Sequence, residues 1–360
     1  MKQGAVSKQP GGRTYIVSGD LRVIVSRWLG EAGPFYVPER QFFQKHQARL
    51  LSKLKEIFPE PEQRVHLSRY EYVKTGIMML ISENSKDIPV ISLDQVYVEQ
   101  GIADIHFDVN RVVKWSKHQA EDNWTAGWTD LGHGPRNSNL TIASQLDRIA
   151  NQGRIKRMIN KRVVLVDDGT WTRQSLIAAQ KLLSSIGIQV EMFIVGIEIR
   201  PADESECVTL DRPYFWAEKF VKEDVIDWVS ERDFYPGIGC SGRTVGESLD
   251  NRFSSEVMRE YYYSIPMQGN YGAPYVLPLG DPISWANIPP EAAKDFSLFC
   301  LEQTIVLYKA IEAETQRITK VPVQVRIKDL QRPPYFYRKR PDSSVVVELK
   351  RSIELLKEKF

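Results

Sequence analysis

Val163-Val164-Leu165-Val166-Asp167-Asp168-Gly169-Thr170-Trp171-Thr172-Arg173-Gln174-Ser175 decides the fold. Four apolar residues, three of them β-branched, run straight into two adjacent carboxylates. A continuous apolar run of this kind is the pattern of a strand buried on both faces of a parallel sheet. A short loop rich in Gly and hydroxyls follows, and a helical pattern starts at Ser175 and reaches Ser185, with Gly187 as its stop. Val190–Ile199 is a second long apolar strand. Strand, helix and strand in this order predict an α/β protein with a parallel sheet, right-handed crossovers and flanking helices. In an open α/β sheet, ligands bind beyond the carboxyl ends of the strands, which is where Asp167 and Asp168 fall.

Outward from this motif, the spacing predicts helices over Gln41–Phe58, Glu71–Ser82 and Leu140–Ile149, and a long helix over Glu291–Ile318. Strands are predicted over Arg13–Val25, Arg64–Leu67, Ile88–Val98 and Val321–Ile327, and a hairpin arm over Ala103–Lys114. Glu121–Ser138 reads as a mobile loop, Glu247–Tyr263 as helical, and Val345–Phe360 as β-like before it becomes a charged helix. The expected organisation is an N-terminal arm and helix (1–60), a core (61–200), a cover region (201–290) and a C-terminal helical extension (291–360).

The 360 residues carry a net charge of +2, so no global field draws the chain to nucleic acid or membrane. Met1–Gly12 is polar and lacks the apolar centre of a signal peptide, and no apolar run approaches a membrane span. Cys207, Cys240 and Cys300 are scattered and odd in number, as expected of free thiols in a reducing, cytoplasmic setting.

Two carboxylates at a strand end are able to grip adjacent ribose hydroxyls, directly or through Mg²⁺. The loop amides and the helix N-terminus after them favour an anion, with Thr172 and Ser175 as further donors. One segment is thus able to hold a ribose and its 5-phosphate; the alternative is an acidic strand end with a capped helix.

Val163–Ser175 resembles the diphosphoribosyl-binding loop of type I phosphoribosyltransferases: four apolar residues, two acids, two variable positions, two small or hydroxyl residues, Gly, a variable residue and Thr. Asp167, Asp168, Thr172 and Ser175 match that pattern, whereas Trp171, Arg173 and Gln174 depart from it, Arg173 standing where Gly is usual. The resemblance spans roughly residues 60–200. It implies that Asp167 and Asp168 hold the ribose and, indirectly, Mg²⁺, and that Gly169 to Ser175, with Thr170, hold the ribose phosphate. It implies further that Ser68-Arg69-Tyr70 forms the pyrophosphate loop, with Arg69 facing the leaving group. A flexible loop over 103–139 would then close on the substrate, bringing Arg111, Lys114, Lys117, His118 or His133 toward it. The implied activity is transfer of phosphoribosyl from 5-phosphoribosyl 1-diphosphate to a nitrogenous base, or the reverse. That reaction has an oxocarbenium-like transition state and depends mainly on positioning and charge. The cover region would screen the base, with Trp228, Phe234, Ser241 and Arg243 as its candidates.

Other readings stay open at this point. The Arg173 departure suits a nucleotide-sensing or effector module in a multi-protein bacterial system that has kept the fold and lost the reaction. The same acidic pair suits a receiver domain, for which Asp211 would be the phospho-accepting residue. Asp104, His106 and Asp108 alternate and are either a metal trio or a solvated hairpin face. Pro236–Gly246 is either a ligand-facing cover loop or a structural turn. The basic run Arg154, Lys156, Arg157, Lys161, Arg162 is either a solvated turn or a local attractor for anions. Arg326–Arg340, basic with Tyr335-Phe336-Tyr337 inside it, is either a packed surface strand or a single-stranded nucleic-acid contact.

Overall fold

Val163 to Val166 are all fully buried, and the strand they belong to, β7 (Arg162–Thr170), is the middle of a five-stranded sheet. The structure, a computed structural model, describes residues 12–32, 34–99, 101–120, 123–135, 141–158, 160–201, 210–239, 241–246 and 271–359. In chain order the other strands are β1 (Thr14–Gly19), β2 (Arg64–Arg69), β3 (Val90–Ser92), β4 (Ile105–His106), β5 (Asn110–Trp115), β6 (Trp128–Gly134), β8 (Gln189–Arg200), β9 (Tyr214–Val221), β10 (Val225–Ser230), β11 (Arg243–Val245) and β12 (Tyr271–Ala273). The helices are α1 (Leu21–Ala32), α2 (Arg40–Ile57), α3 (Tyr70–Asn84), α4 (Ile142–Asn151), α5 (Gly153–Arg157), α6 (Gln174–Ser185), α7 (Pro282–Ala286), α8 (Pro290–Thr319) and α9 (Val345–Lys359).

The main sheet has the order β4-β3-β7-β8-β9, and every pair in it is parallel. The period of two sorts its side chains. Val163 and Leu165 pack with α4, α5 and α6, while Val164 and Val166 join the larger core that holds α3. The fold is α/β, a parallel sheet with helices on both faces and additions before and after it. The order reverses between β3 and β7, because β4 follows β3 on one side and β8 follows β7 on the other. This is a topological switch point, and the crevice at its carboxyl end is where such sheets bind ligands.

A second parallel sheet, β10-β1-β2, has β1 in its centre. It differs from the expected segmentation: β2 belongs here and not to the sheet of β7, and one sheet takes strands from the arm, the core and the cover region. Arg13–Val25 is not one strand. Gly19-Asp20 ends β1, and Leu21 starts a helix whose Leu21, Ile24, Val25, Trp28 and Leu29 are buried. A third sheet, β12-β11-β5-β6, forms from the hairpin arm and the cover region.

Several expectations shift. Of Ile88–Val98 only Val90–Ser92 is strand; Asp94 then takes the amides of Tyr97 and Val98 into a turn. The loop expected over 121–138 contains β6. Val321–Ile327 is not a strand, and Val345–Lys359 is helical throughout, its Val345, Leu349 and Leu356 buried on one face. β9 was not expected, although it opens on the apolar run Tyr214-Phe215-Trp216-Ala217; all its side chains are half-buried. The helix expected over 247–263, Cys207, Cys240 and residues 1–11 lie outside the described residues. Cys300 is a buried free thiol in α8. No described helix is long and apolar enough to cross a membrane.

Candidate functional site

Strand alternation carries Asp167 onto the α6 side of β7 and Asp168 onto the side facing the second sheet. Both are partly accessible. Burial, then the neighbouring Asp168 and Asp94 carboxylates, hold the Asp167 carboxyl well above the usual carboxylate range. The strand end is therefore an accumulation of negative charge in a poorly solvated place, and it favours either a proton or a cation.

One cation comes from within. Arg232, 5% exposed, follows β10 and puts Nη2 3.8 Å from Asp168 Oδ2, while Nη1 pairs with the buried Asp20 just beyond β1. Asp20 remains pushed up to about 6 by its burial, despite Arg232. The Tyr97 phenol, buried beside Asp20 and Asp168, is pushed far up by the same desolvation. The carboxyl ends of the two parallel sheets thus meet through one guanidinium.

Gly169 permits this approach. A β-carbon there would lie 2.4 Å from Trp228 Cη2 and 2.8 Å from the Ile197 carbonyl oxygen. Trp228 on β10 donates from its indole to Ser18 Oγ at 2.8 Å, so its ring is fixed against the acidic strand end. Of the cover candidates, Trp228 therefore does lie at the site. Phe234 does not: it is fully buried against Phe296 on α8.

The loop turns sharply at Arg173, whose φ of 59° is left-handed. A residue with a β-carbon is strained at such a φ, where Gly would not be. Thr170 Oγ1 braces the turn by accepting from the Arg173 amide at 2.9 Å. The Arg173 side chain runs away from the loop mouth: Nη2 meets the fully buried Glu198 at 2.5 Å, and the guanidinium lies 4.7 Å from the Tyr214 ring centre. Arg173 is a strut and not a phosphate contact. Trp171 packs on the larger core, while Thr172 and Gln174 are exposed and Ser175 is half-buried at the start of α6.

The third sheet overhangs this helix start. His133 Nε2 is 3.0 Å from Ser175 Oγ, and Arg111 Nη2 donates to Gln174 at 3.1 Å. Arg111 and Arg243 share Asp130, at 3.3 and 3.2 Å. Burial, then Arg111, lowers the His133 pKa. Arg111 and His133 thus reach the loop from the arm, with Arg243 beside them. Ser241 is 3% exposed with its Oγ unpartnered among the described residues, so it presents nothing to solvent.

Ser68 is buried at the end of β2 and donates to Glu218 at 2.7 Å, and the Tyr70 hydroxyl donates to the Val96 carbonyl. Neither side chain is free for pyrophosphate. Arg69 is exposed on a neighbouring cleft of about 620 Å³, whose walls contain none of residues 167–175.

Three alternative readings are corrected. Asp211 precedes β9, at the amino edge of a parallel sheet whose carboxyl edge holds Asp167 and Asp168, so it cannot complete a receiver site with them. Asp104 is taken by Arg154 and the Val90 amide, and His106 by the Val98 carbonyl, so the alternating trio is structural. In Arg326–Arg340, Tyr337 is buried, Phe336 packs on Trp115 and Trp124, and Tyr335 lies between Tyr271 and Arg338, which leaves no open ring ladder for bases. The basic run is partly paired, Arg154 with Asp104 and Arg162 with Glu191.

Among the described residues, no three His, Cys, Asp or Glu side chains form a metal cage. Mg²⁺ needs less, commonly one or two carboxylates with waters and phosphate oxygens. Asp167 and Asp168 are donors of that type: burial, and after it the neighbouring Asp168 and Asp94 carboxylates, raise the proton affinity of Asp167, and a cation there would offset those carboxylates.

Asp20, Arg232, Asp94, Tyr97 and Glu198 were missed from the sequence. Only Asp20 carried a signal, as an acid directly after a short apolar strand.

No protein-family model matches the chain, and no curated protein matches it significantly. Among solved structures, a hypothetical protein from Neisseria gonorrhoeae with bound ppGpp aligns with 45% of this chain and 81% of its own, at 15% identity and a TM-score of 0.29. Similarity at that level establishes neither a common fold nor a common ligand.

Proposed function

We propose that this chain is a phosphoribosyltransferase-like protein that binds 5-phosphoribosyl 1-diphosphate with Mg²⁺ and transfers phosphoribosyl to or from a nitrogenous base. One observation carries the reading: adjacent carboxylates end a buried parallel strand at a topological switch point, and a hydroxyl-bearing loop and the start of α6 follow at once. Asp167 and Asp168 take the ribose hydroxyls. Thr172, Ser175 and the first amides of α6 take the 5-phosphate, with His133 and Arg111 above them. Asp167 and Asp168 would hold Mg²⁺, which would offset the charge of the pyrophosphate. In the transfer, the bond from ribose C1 to the pyrophosphate oxygen breaks, a bond from C1 to the base nitrogen forms, and the proton on that nitrogen leaves to solvent. Trp228 offers an aromatic face beside the acids.

A second reading has its own observation. Arg232 already stands 3.8 Å from Asp168 and offsets a carboxylate that the reaction needs. This favours a nucleotide-sensing or effector module that binds the same ligand without turnover.

Calorimetry with 5-phosphoribosyl 1-diphosphate and Mg²⁺, on wild type and on the double variant Asp167→Asn, Asp168→Asn, tests both. Binding by wild type alone, with pyrophosphate released in the presence of a base, supports the transferase. Binding without release from any base supports the module. Equal binding by wild type and variant would remove the site from both.

A further inference from the structure

The second parallel sheet has a crevice of its own. Its walls hold Gly19 and Leu67 from the ends of β1 and β2, the first turns of α1, α2 and α3, and Glu231 from beyond β10. At about 620 Å³ it has the size of a small-molecule site.

Three arginines line it: Arg22, Arg40 and Arg69. All are exposed, and none pairs with a carboxylate or hydrogen-bonds a carbonyl among the described residues. Arginines at the other strand ends are used differently, Arg173 by Glu198 and Arg232 by Asp20. The opposing charge in the cleft is small. Glu71, exposed on the first turn of α3, offsets one guanidinium. Glu231 is 2% exposed and accepts from Gln47 Nε2 at 2.9 Å, and burial pushes its pKa up to about 8, so it is mostly neutral at pH 7. Three helices of 12, 18 and 15 residues start on these walls; the Leu21 amide that opens α1 is taken by Glu231, whereas α2 and α3 lack a side-chain hydrogen bond at the N-cap. Tyr72, 57% exposed, adds a ring at the rim.

We propose that this cleft binds a small polyanion carrying phosphate groups, held by Arg22, Arg40 and Arg69. Guanidinium forks and helix-start amides are both phosphate-binding groups, and a phosphate group carries more negative charge for them to engage than a carboxylate does. Three guanidinium groups on three different helix starts suit an anion with more than one phosphoryl group. None of residues 167–175 lines the cleft, so it is distinct from the acidic end of β7, although Leu21 and Glu231 on its walls adjoin Asp20 and Arg232, and Arg232 reaches Asp168. It stands whether or not phosphoribosyl diphosphate binds there.

The test is calorimetry on the full chain with inorganic tripolyphosphate in EDTA, which removes the divalent cation that the acidic end requires. Saturable micromolar binding is expected, weakening as salt rises. Arg22→Gln with Arg40→Gln should raise Kd about tenfold or more. Asp167→Asn with Asp168→Asn should leave Kd unchanged. Thermal melts of the arginine variant, whose changes are on exposed side chains, should match wild type. Three results would overturn the proposal: no saturable binding, a Kd untouched by the arginine changes, or citrate binding as tightly as tripolyphosphate. Loss of binding in the aspartate variant alone would move the anion to the acidic end and also overturn it.

Discussion

Arg173 occupies a left-handed turn at φ 59° and gives its guanidinium to Glu198, which is fully buried on the neighbouring strand. The backbone strain of a side chain at this φ is thus offset by an ion pair that ties the loop to β8. Removing one member of such a pair leaves the other charge buried and uncompensated. Arg173→Ala is expected to cost about 3–5 kcal/mol in chemical denaturation. In a Glu198→Gln background the same change should cost less than half of that. Equal costs in both backgrounds would show that the strut carries no energy.

Gly169 is expected to tolerate no side chain. Gly169→Ala places a methyl group within 2.8 Å of both the Trp228 ring and the Ile197 carbonyl. A loss of about 1–3 kcal/mol is expected, with a change in tryptophan fluorescence as the ring is displaced. Trp228→Leu in the same chain should restore part of the loss and not all of it, since the carbonyl remains. Full recovery would mean that the backbone contact yields freely.

Stability should fall as pH rises from 6.5 to 8.5. Burial raises Asp227 to about 7 and Glu231 to about 8, and also raises Asp167. In this window the folded state holds more protons than the unfolded chain, whose carboxyls are already ionised. The slope of unfolding free energy with pH is therefore negative. The opposing groups, His46 at about 4 and the lowered His133, act mainly below pH 6.5. A drop in Tm of about 3 °C is expected across the window, and Glu231→Gln should flatten it. A Tm that rises with pH would contradict the burial of these carboxyls.

His133 reports on the loop. Its ring sits 3.0 Å from Ser175 Oγ, above the start of α6. A phosphate bound there places negative charge beside the imidazole and favours its protonated form. NMR titration of His133 should therefore move to higher pH when 5-phosphoribosyl 1-diphosphate and Mg²⁺ are added. An unchanged titration in a chain shown by calorimetry to be saturated would place the phosphate elsewhere.

The acidic strand, its helix and the strand after it were legible because each states its environment in its own residues. Val163–Val166 reads as doubly buried, and Asp167-Asp168 as the end of that burial. Arg173 was legible as a departure but not as a strut, because Glu198 lies inside an apolar strand with no local mark of its partner. Arg232 was invisible for a related reason: it joins Asp20 and Asp168 across 212 and 64 positions (232 − 20 and 232 − 168). The short apolar run before Gly19-Asp20 was extended into α1, whose buried Ile24 and Val25 are as β-branched as the strand itself. β9 did carry a local signal, the aromatic run Tyr214-Phe215-Trp216, but Glu218-Lys219 interrupts it and breaks the pattern of a strand.

The place of β1 in the middle of its sheet bears on how the chain is made. Its register pairs Thr14 with Arg64 on one side and with Val225 on the other. On the ribosome, β2 emerges early, but the second partner follows 161 residues after β2 has ended (230 − 69). At about 5–20 residues per second, one edge of Tyr15-Ile16-Val17 stays unpaired for roughly 10–30 s. An open apolar edge of this kind is a template for unwanted pairing. Nascent chains stalled before Val225, and fragments cut there, are thus expected to need a chaperone or to associate, although they already carry both aspartates of the acidic end.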